Sequence, residues 1–335
     1  MTLLLFTIGL KLNIRSLFKT EIWASATSHM AMIILLTTVN SLFLGYLGMK
    51  YFADLDFMSA ALIGFAVSFS STVCAVKMLE ERSELLARHG QVAIGILVIQ
   101  DIAAVVFVTV AAGKVPSVWA FGLLAIPFFR PWLGKVLERC GHGEMLPLAG
   151  IFFALSFGEL FEAVGLKAHL GALVIGAVLS NHNKSSELSK SLLAFKDIFL
   201  IGFFLSIGFI ALPTLDMMAV ALIMAIALPL KTALFYVWFT RLKLRSRTSF
   251  LTAMSLGNYS EFGLIVCTVA VGYGLLDKEW VVIIALAVSI SFVFSSIINR
   301  DAHSLYLRWS SKVKRFERPE RLLEDSFEQP GAVDV

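Results

Sequence analysis

Ionisable side chains inside apolar stretches are the first candidates for chemistry in this sequence. Asp101 lies in GILVIQDIAAVV, midway between Arg88 and Lys114. At a rise of about 1.5 Å per residue, this position predicts a carboxylate near the middle of a bilayer. An aspartate at that depth costs about 2.5–3.5 kcal/mol on insertion scales, so we expect it to have a function.

Lys231 and Glu261 raise the same question in two other apolar segments. Lys231 follows Pro229 well inside its segment, where an ammonium needs a partner. Glu261 lies in SLGNYSEFG, a polar interruption that also contains Asn258 and Ser260. We therefore predict that both side chains contribute to a buried ionic site.

A second polar interruption, SFSST at 68–72, contains Ser70, Ser71 and Thr72. Non-helical backbone at membrane depth is tolerated only where protein or a watery cavity covers it, which favours a functional break at each interruption. The alternative is that the small residues only allow helices to approach closely.

The composition indicates that membrane-spanning helices position these residues. Of the 335 residues, 58% are hydrophobic and 16% charged, and the mean hydropathy is +0.83. A soluble domain has about 25% charged residues. The three cysteines form no short motif, and they predict neither a disulfide framework nor a metal site.

Apolar segments recur along the chain, and most are long enough to span a hydrocarbon core of about 30 Å. We predict an all-α, polytopic membrane bundle, with a transmembrane domain at 1–300 and a tail at 301–335. The predicted segments are 22–48, 57–79, 91–112, 117–137, 146–166, 168–180, 192–212, 215–240, 249–276 and 280–299.

Basic residues predict the orientation. Most of the 28 lysines and arginines fall in alternate loops and in the C-terminal stretch, and the opposite loops hold only Lys50, Lys114, Lys167 and Lys278. By the positive-inside rule the basic loops and the C-terminus are cytoplasmic. The positive charge belongs to these loops, so we expect no nucleic-acid partner, and the partners predicted are membrane lipid, monovalent cations and protons.

The two polar interruptions predict an internal repeat. Their segments, 57–79 and 249–276, cross the membrane in opposite senses, and the pairs 22–48 with 215–240 and 91–112 with 280–299 show a similar offset. This is the pattern of an inverted-topology repeat. In transporters of that kind, discontinuous helices meet near the midplane and bind ions.

Several motifs together resemble the monovalent cation:proton antiporter-2 family, and most nearly its Kef-type potassium efflux systems. They are SFSSTVCAVKMLEER, LVIQDIAA, HLGALVIGAVLSN, FKDIFLIGFFLSIGF and LGNYSEFGL. The resemblance covers Met1 to about Arg300 and implies the sodium/proton antiporter fold, with inverted repeats and two discontinuous crossing helices. It also implies a homodimer in the inner membrane, N-terminal helices that precede Met1, and a regulatory domain beyond the C-terminal linker.

The resemblance assigns roles to particular residues. Gln100 and Asp101 match the family's ion-binding pair, with the transported cation near Asp101, and Lys231 matches the core basic residue. The two crossovers are matched by Ser70, Ser71 and Thr72 and by Asn258, Ser260 and Glu261. The implied activity is exchange of a monovalent cation, potassium in preference to sodium, for protons.

Other functions leave weaker signals. No H-E-x-x-H, C-x-x-C, G-x-S-x-G, G-x-G-x-x-G or Walker pattern occurs, so we predict that the protein is not an enzyme and needs no cofactor. A gated cation channel would also use polar groups at the midplane. A solute symporter on the same fold and a silent membrane scaffold are two further functions that such a sequence allows.

Overall fold

A computed structural model describes residues 2–10, 19–85, 87–111, 117–166, 168–180, 182–192, 198, 202, 205 and 213–313. These residues form helices, turns and connecting segments, and no β-strand occurs among them. The chain divides into two compact units, one made of Met1–Leu17 with Asp101–Leu212 and the other of Phe18–Gln100 with Pro213–Val335.

Apolar helices confirm the prediction of an integral membrane protein. Within the described parts of the chain, five helical stretches are long and apolar enough to cross a bilayer. They are Thr20–Tyr46, Phe57–Leu79, Met145–Ala163, Leu215–Arg241 and Lys278–Arg300. The shorter Glu261–Gly272 is also apolar, and most of the predicted segment 192–212 lies outside the described residues.

The first unit is built around close contacts between its helices. It contains α1 (Thr2–Leu10), a 3₁₀ helix (Val118–Phe129), α6 (Arg130–Arg139), α7 (Met145–Ala163) and α8 (Ala168–Leu179). Helix α8 packs against both α1 and α7. Its core includes Phe6, Leu133, Phe153 and Ile175, all almost fully buried.

The predicted apolar segment 117–137 is not one continuous α-helix. It forms the 3₁₀ helix Val118–Phe129, followed by the short α6. Pro127 lies inside the first element and Pro131 in the first turn of the second. Because proline lacks a backbone N–H and clashes with the preceding turn, an uninterrupted α-helix through this stretch is disfavoured.

The second unit contains the helices that carry the predicted polar interruptions. They are α2 (Thr20–Tyr46), α3 (Phe57–Ser68), α4 (Thr72–Glu81), the first half of α5 (Arg88–Ala111), α9 (Leu215–Ile226), α10 (Leu228–Arg241), α11 (Ser246–Ser255), α12 (Glu261–Gly272), α13 (Lys278–Arg300) and α14 (Ala302–Val313). A buried core that includes Ile22, Leu79, Ile96, Phe235 and Leu256 joins several of them.

Both polar interruptions are breaks between short helices. The first lies between α3 and α4, where Phe69 has extended backbone dihedral angles. The second lies between α11 and α12, where Ser260 is extended and caps α12. Helix α12 packs on α3 so closely that a Cβ on Gly263 would lie 2.4 Å from the carbonyl oxygen of Ala66. Glycine at 263 therefore allows the two helices to meet beside the breaks.

Candidate functional site

The two helix breaks are hydrogen-bonded to each other. The backbone N–H of Ser71 donates to Oδ1 of Asn258 at 2.7 Å, and Oγ of Ser70 donates to the carbonyl oxygen of Leu256 at 2.8 Å. Nδ2 of Asn258 donates in turn to the carbonyl oxygen of Ser255 at 3.1 Å. Each break thus satisfies backbone groups that the end of a helix leaves without an intrahelical partner.

Lys231 binds backbone carbonyls at both breaks. Its Nζ lies 3.1 Å from the carbonyl oxygen of Val67, 2.6 Å from that of Phe69 and 2.8 Å from that of Asn258. An ammonium has three N–H donors, so these three acceptors use all of them. The partners of this buried cation are therefore peptide carbonyls: those of Val67 and Phe69 at the C-terminal end of α3, and that of Asn258 just beyond the C-terminal end of α11. The helix dipole favours positive charge at such ends.

Glu261 occupies the opposite kind of helix end. It is the first residue of α12, where the dipole favours a carboxylate. Its Oε2 lies 3.2 Å from Oγ of Ser71 and 3.4 Å from Oγ of Ser260. The Oγ of Ser71 also accepts from the backbone N–H of Cys74 at 3.2 Å and thereby caps the start of α4. The positive charge of Lys231 thus lies at negative, C-terminal helix ends, and Glu261 lies at the positive, N-terminal end of α12.

Gln100 attaches α5 to the first break. Its Oε1 accepts from the backbone N–H of Ser70 at 2.9 Å, and its Nε2 lies 3.4 Å from the carbonyl oxygen of Ser68. Asp101 follows in the same helix and is 1% exposed. Because both polar atoms of the Gln100 side-chain amide are bonded to Ser68 and Ser70, the α5 backbone just before Asp101 is attached to the end of α3 and to the first break.

Most of the sequence-predicted site residues form one connected network in the second unit. Asp101 directly follows Gln100 in α5 and begins the part of that helix that belongs to the first unit. Thr72 is buried and begins α4. The residues linked by the hydrogen bonds above are Ser70, Ser71, Gln100, Lys231, Asn258, Ser260 and Glu261.

Tyr259, Ser291 and His29 also belong to the surroundings of the site, and sequence reasoning missed them. Nζ of Lys231 lies 5.1 Å from the ring centre of Tyr259, and the backbone N–H of Tyr259 donates to Oγ of Ser291 at 3.0 Å. His29 is fully buried, stacks on Phe235 and lies 3.3 Å from the carbonyl oxygen of Lys231. Two signals were available: Tyr259 lies within the polar interruption SLGNYSEFG, and His29 is a histidine inside the apolar segment 22–48.

Comparisons with known proteins place this chain in a family. The family model described as "Sodium/hydrogen exchanger, transmembrane" matches residues 1–300. The chain is also 27% identical, over 99% of its length and 56% of the relative's, to the glutathione-regulated potassium-efflux system protein KefC of Salmonella heidelberg (strain SL476). The same protein of Salmonella schwarzengrund (strain CVM19633) is 28% identical over 88% of the chain and 50% of the relative.

The chain spans about half the length of the curated relatives it matches. The matches confirm the resemblance that the motifs indicated, since the family model covers residues 1–300, the range over which the motifs occur. Members of the matched family exchange cations for protons across membranes. The chain belongs to the transmembrane sodium/hydrogen exchanger family, and its membrane region is of the Kef type.

Proposed function

We propose that this protein exchanges potassium for protons by alternating access, with Asp101 as the shared binding site. The observation that supports this most directly is a hydrogen-bonded network in which Lys231 and Ser71 join two helix breaks, and Gln100, the residue before Asp101, is bonded to the first of them. A buried, irregular backbone of this kind, held by ionic groups, is the usual setting of an ion site in a secondary transporter.

The two broken helices are the crossing pair of an inverted-topology repeat in this proposal. Three contacts support it: α3 packs on α12, α4 packs on α11, and the backbone N–H of Ser71 in the first break donates to Oδ1 of Asn258 in the second. The four helix ends that meet would create strong local fields. The charges of Lys231 and Glu261 offset those fields. The negative charge of Asp101 is then available to bind the transported ion.

Exchange follows from competition at one carboxylate. A charge taken out of water is costly unless it is compensated, so a buried Asp101 is stabilised by either a proton or a cation. Binding of one excludes the other. Gln100 and Lys231 act as positioning residues in this scheme, because their polar atoms are already bonded to the breaks.

Potassium is the proposed cation for two reasons. The relatives carry names of a potassium-efflux system. The Gln100–Asp101 pair also supplies one carboxylate where an acidic pair would supply two, and a larger, more easily dehydrated cation needs a weaker field. By charge distribution the C-terminus is cytoplasmic, and we further propose a homodimer regulated through sequence that the longer relatives possess.

Proton flux in proteoliposomes tests the function. A pH dye trapped inside reports proton movement after addition of potassium, sodium or no cation. Cation-dependent proton flux is expected in the wild type and should vanish in Asp101→Asn, which keeps the size of the side chain and removes its charge. Asp54→Asn, which alters an exposed loop carboxylate, is the matched control and should exchange normally.

A channel and a symporter predict different results in the same assay. A gated channel would pass cations with no coupled proton movement, and a symporter would need an added solute. Normal exchange by Asp101→Asn would refute the role of this residue.

A further inference from the structure

An apolar cavity of about 350 Å³ lies within the second unit, outside the ion site. Helices α10, α11, α13 and α14 line it, with Tyr236, Phe250, Phe294 and Trp309 among the lining residues. The volume is in the range of about 300–1,000 Å³ that is typical of small-molecule sites. Because the lining carries few polar groups, its occupant must be mainly hydrocarbon.

Basic residues lie close in the chain to cavity-lining residues on three helices. Arg247 lies one turn before Phe250 on α11, Arg300 ends α13 just after Ile298, and Arg308 precedes Trp309 on α14; all three arginines are exposed. Asp301 is the acidic residue in the same stretches, so positive charge predominates. Tryptophan beside arginine is also the composition found at a membrane–water interface. An apolar cavity whose lining residues have exposed arginines close to them in the chain matches a lipid with a negatively charged headgroup.

We propose that this cavity binds an acyl chain of an anionic phospholipid, with the headgroup held by Arg247, Arg300 and Arg308. Anionic lipid is attracted to such basic clusters, at about 1 kcal/mol for each cation near the surface. Phospholipid surrounds the protein, since five helical stretches in the described part of the chain are apolar enough to span a bilayer.

The cavity reaches the second helix break. Gly257 and Thr232 both line it, and a Cβ on Gly257 would lie 2.3 Å from Oγ1 of Thr232. Thr232 is next to Lys231, whose ammonium binds the carbonyl oxygen of Asn258. A lipid chain in the cavity therefore contacts Gly257 at the second break and restricts the movement of that break.

Native mass spectrometry of the full chain in detergent, with one defined phospholipid added, tests the proposal. Phosphatidylglycerol should be retained at one molecule per chain, and phosphatidylethanolamine much less. Ala233→Phe fills the cavity from an exposed position and should weaken phosphatidylglycerol retention at least about tenfold, the effect of losing roughly 1.4 kcal/mol of binding.

Ala219→Phe is the matched control, because Ala219 is an exposed alanine on α9 that does not line the cavity. It should retain the lipid as the wild type does. If Ala233→Phe does not fold, Ala233→Leu provides a smaller obstruction with the same expected direction. Arg308→Gln should lower retention of phosphatidylglycerol and leave that of phosphatidylethanolamine unchanged. Equal retention by Ala233→Phe and Ala219→Phe, or equal retention of the two lipids by the wild type, would overturn the proposal whether or not the protein transports ions.

Discussion

Replacement of Lys231 by methionine isolates the contribution of its ammonium to the fold. The substitution keeps most of the side-chain length and removes all three donors. Lys231 is 2% exposed, so water cannot easily replace it at the carbonyl oxygens of Val67, Phe69 and Asn258. The variant should therefore leave three buried acceptors without their donor.

The expected cost can be worked out from these contacts. A buried acceptor that loses its hydrogen-bond donor costs about 1–3 kcal/mol. Three of them give at least about 3 kcal/mol, which agrees with the roughly 3–5 kcal/mol seen when one partner of a buried ion pair is removed. At about 2 °C or more per kcal/mol, the midpoint of thermal unfolding should fall by roughly 6 °C.

Heating the protein in detergent and measuring the remaining folded fraction by size-exclusion chromatography gives the unfolding midpoint. Lys50→Met is the matched control, because Lys50 forms an ion pair with Asp216 at 3.1 Å in which the two side chains are 73% and 62% exposed. Water screens such a pair, so its loss should leave the midpoint almost unchanged. Lys231→Arg retains the charge and should recover part of the stability.

Equal midpoints for Lys231→Met and Lys50→Met would refute this account of Lys231. Transport by the same variant provides a second readout. Because the ammonium is fully used by carbonyls, residual exchange in Lys231→Met should keep the cation-to-proton ratio of the wild type. A changed ratio, measured from the membrane potential at which exchange stops, would show that Lys231 carries the transported proton.

If potassium and protons compete for Asp101, the apparent KM for potassium should rise roughly tenfold for each pH unit below the pKa of the carboxylate, since one proton leaves for each cation bound; a KM that stays constant across the acidic range in proteoliposomes would exclude the shared site. Potassium should drive exchange faster than sodium, and the opposite order in the pH-dye assay would show that the cation was assigned wrongly. Burial raises the pKa of Glu84, but hydrogen bonds from His303 and His89 outweigh it and hold that pKa below its ordinary value of 4.5. The stabilisation from Glu84 is therefore complete above about pH 4.5 and is lost as the pH falls below it. Glu84→Gln should lower the unfolding midpoint at pH 7 and remove this part of the acid dependence, whereas an acid dependence identical to that of the wild type would contradict the assignment.

The sequence alone determined the membrane setting and the positions of the two breaks. Apolar length requires a bilayer, and SFSST and SLGNYSEFG are too polar to continue a spanning helix without a reason. Both stretches contain a break, between α3 and α4 and between α11 and α12. These properties are local, because a few neighbouring residues decide whether a segment is apolar and whether a helix can pass through it. The cause of the interruption at Ala227, between α9 and α10, is also local, since Pro229 cannot donate a backbone hydrogen bond to the preceding turn.

The partners of the polar residues were decided by the tertiary structure. The sequence predicts that Lys231 needs a partner, but peptide carbonyls of Val67 and Phe69, more than 160 residues away in the chain, supply it. Gln100 matched an ion-binding pair by resemblance, and the fold bonds it to the backbone of Ser70. Backbone carbonyls and N–H groups are the same in every residue, so no sequence pattern marks the ones that a helix break leaves available. Only the packing of distant segments selects which side chain reaches them.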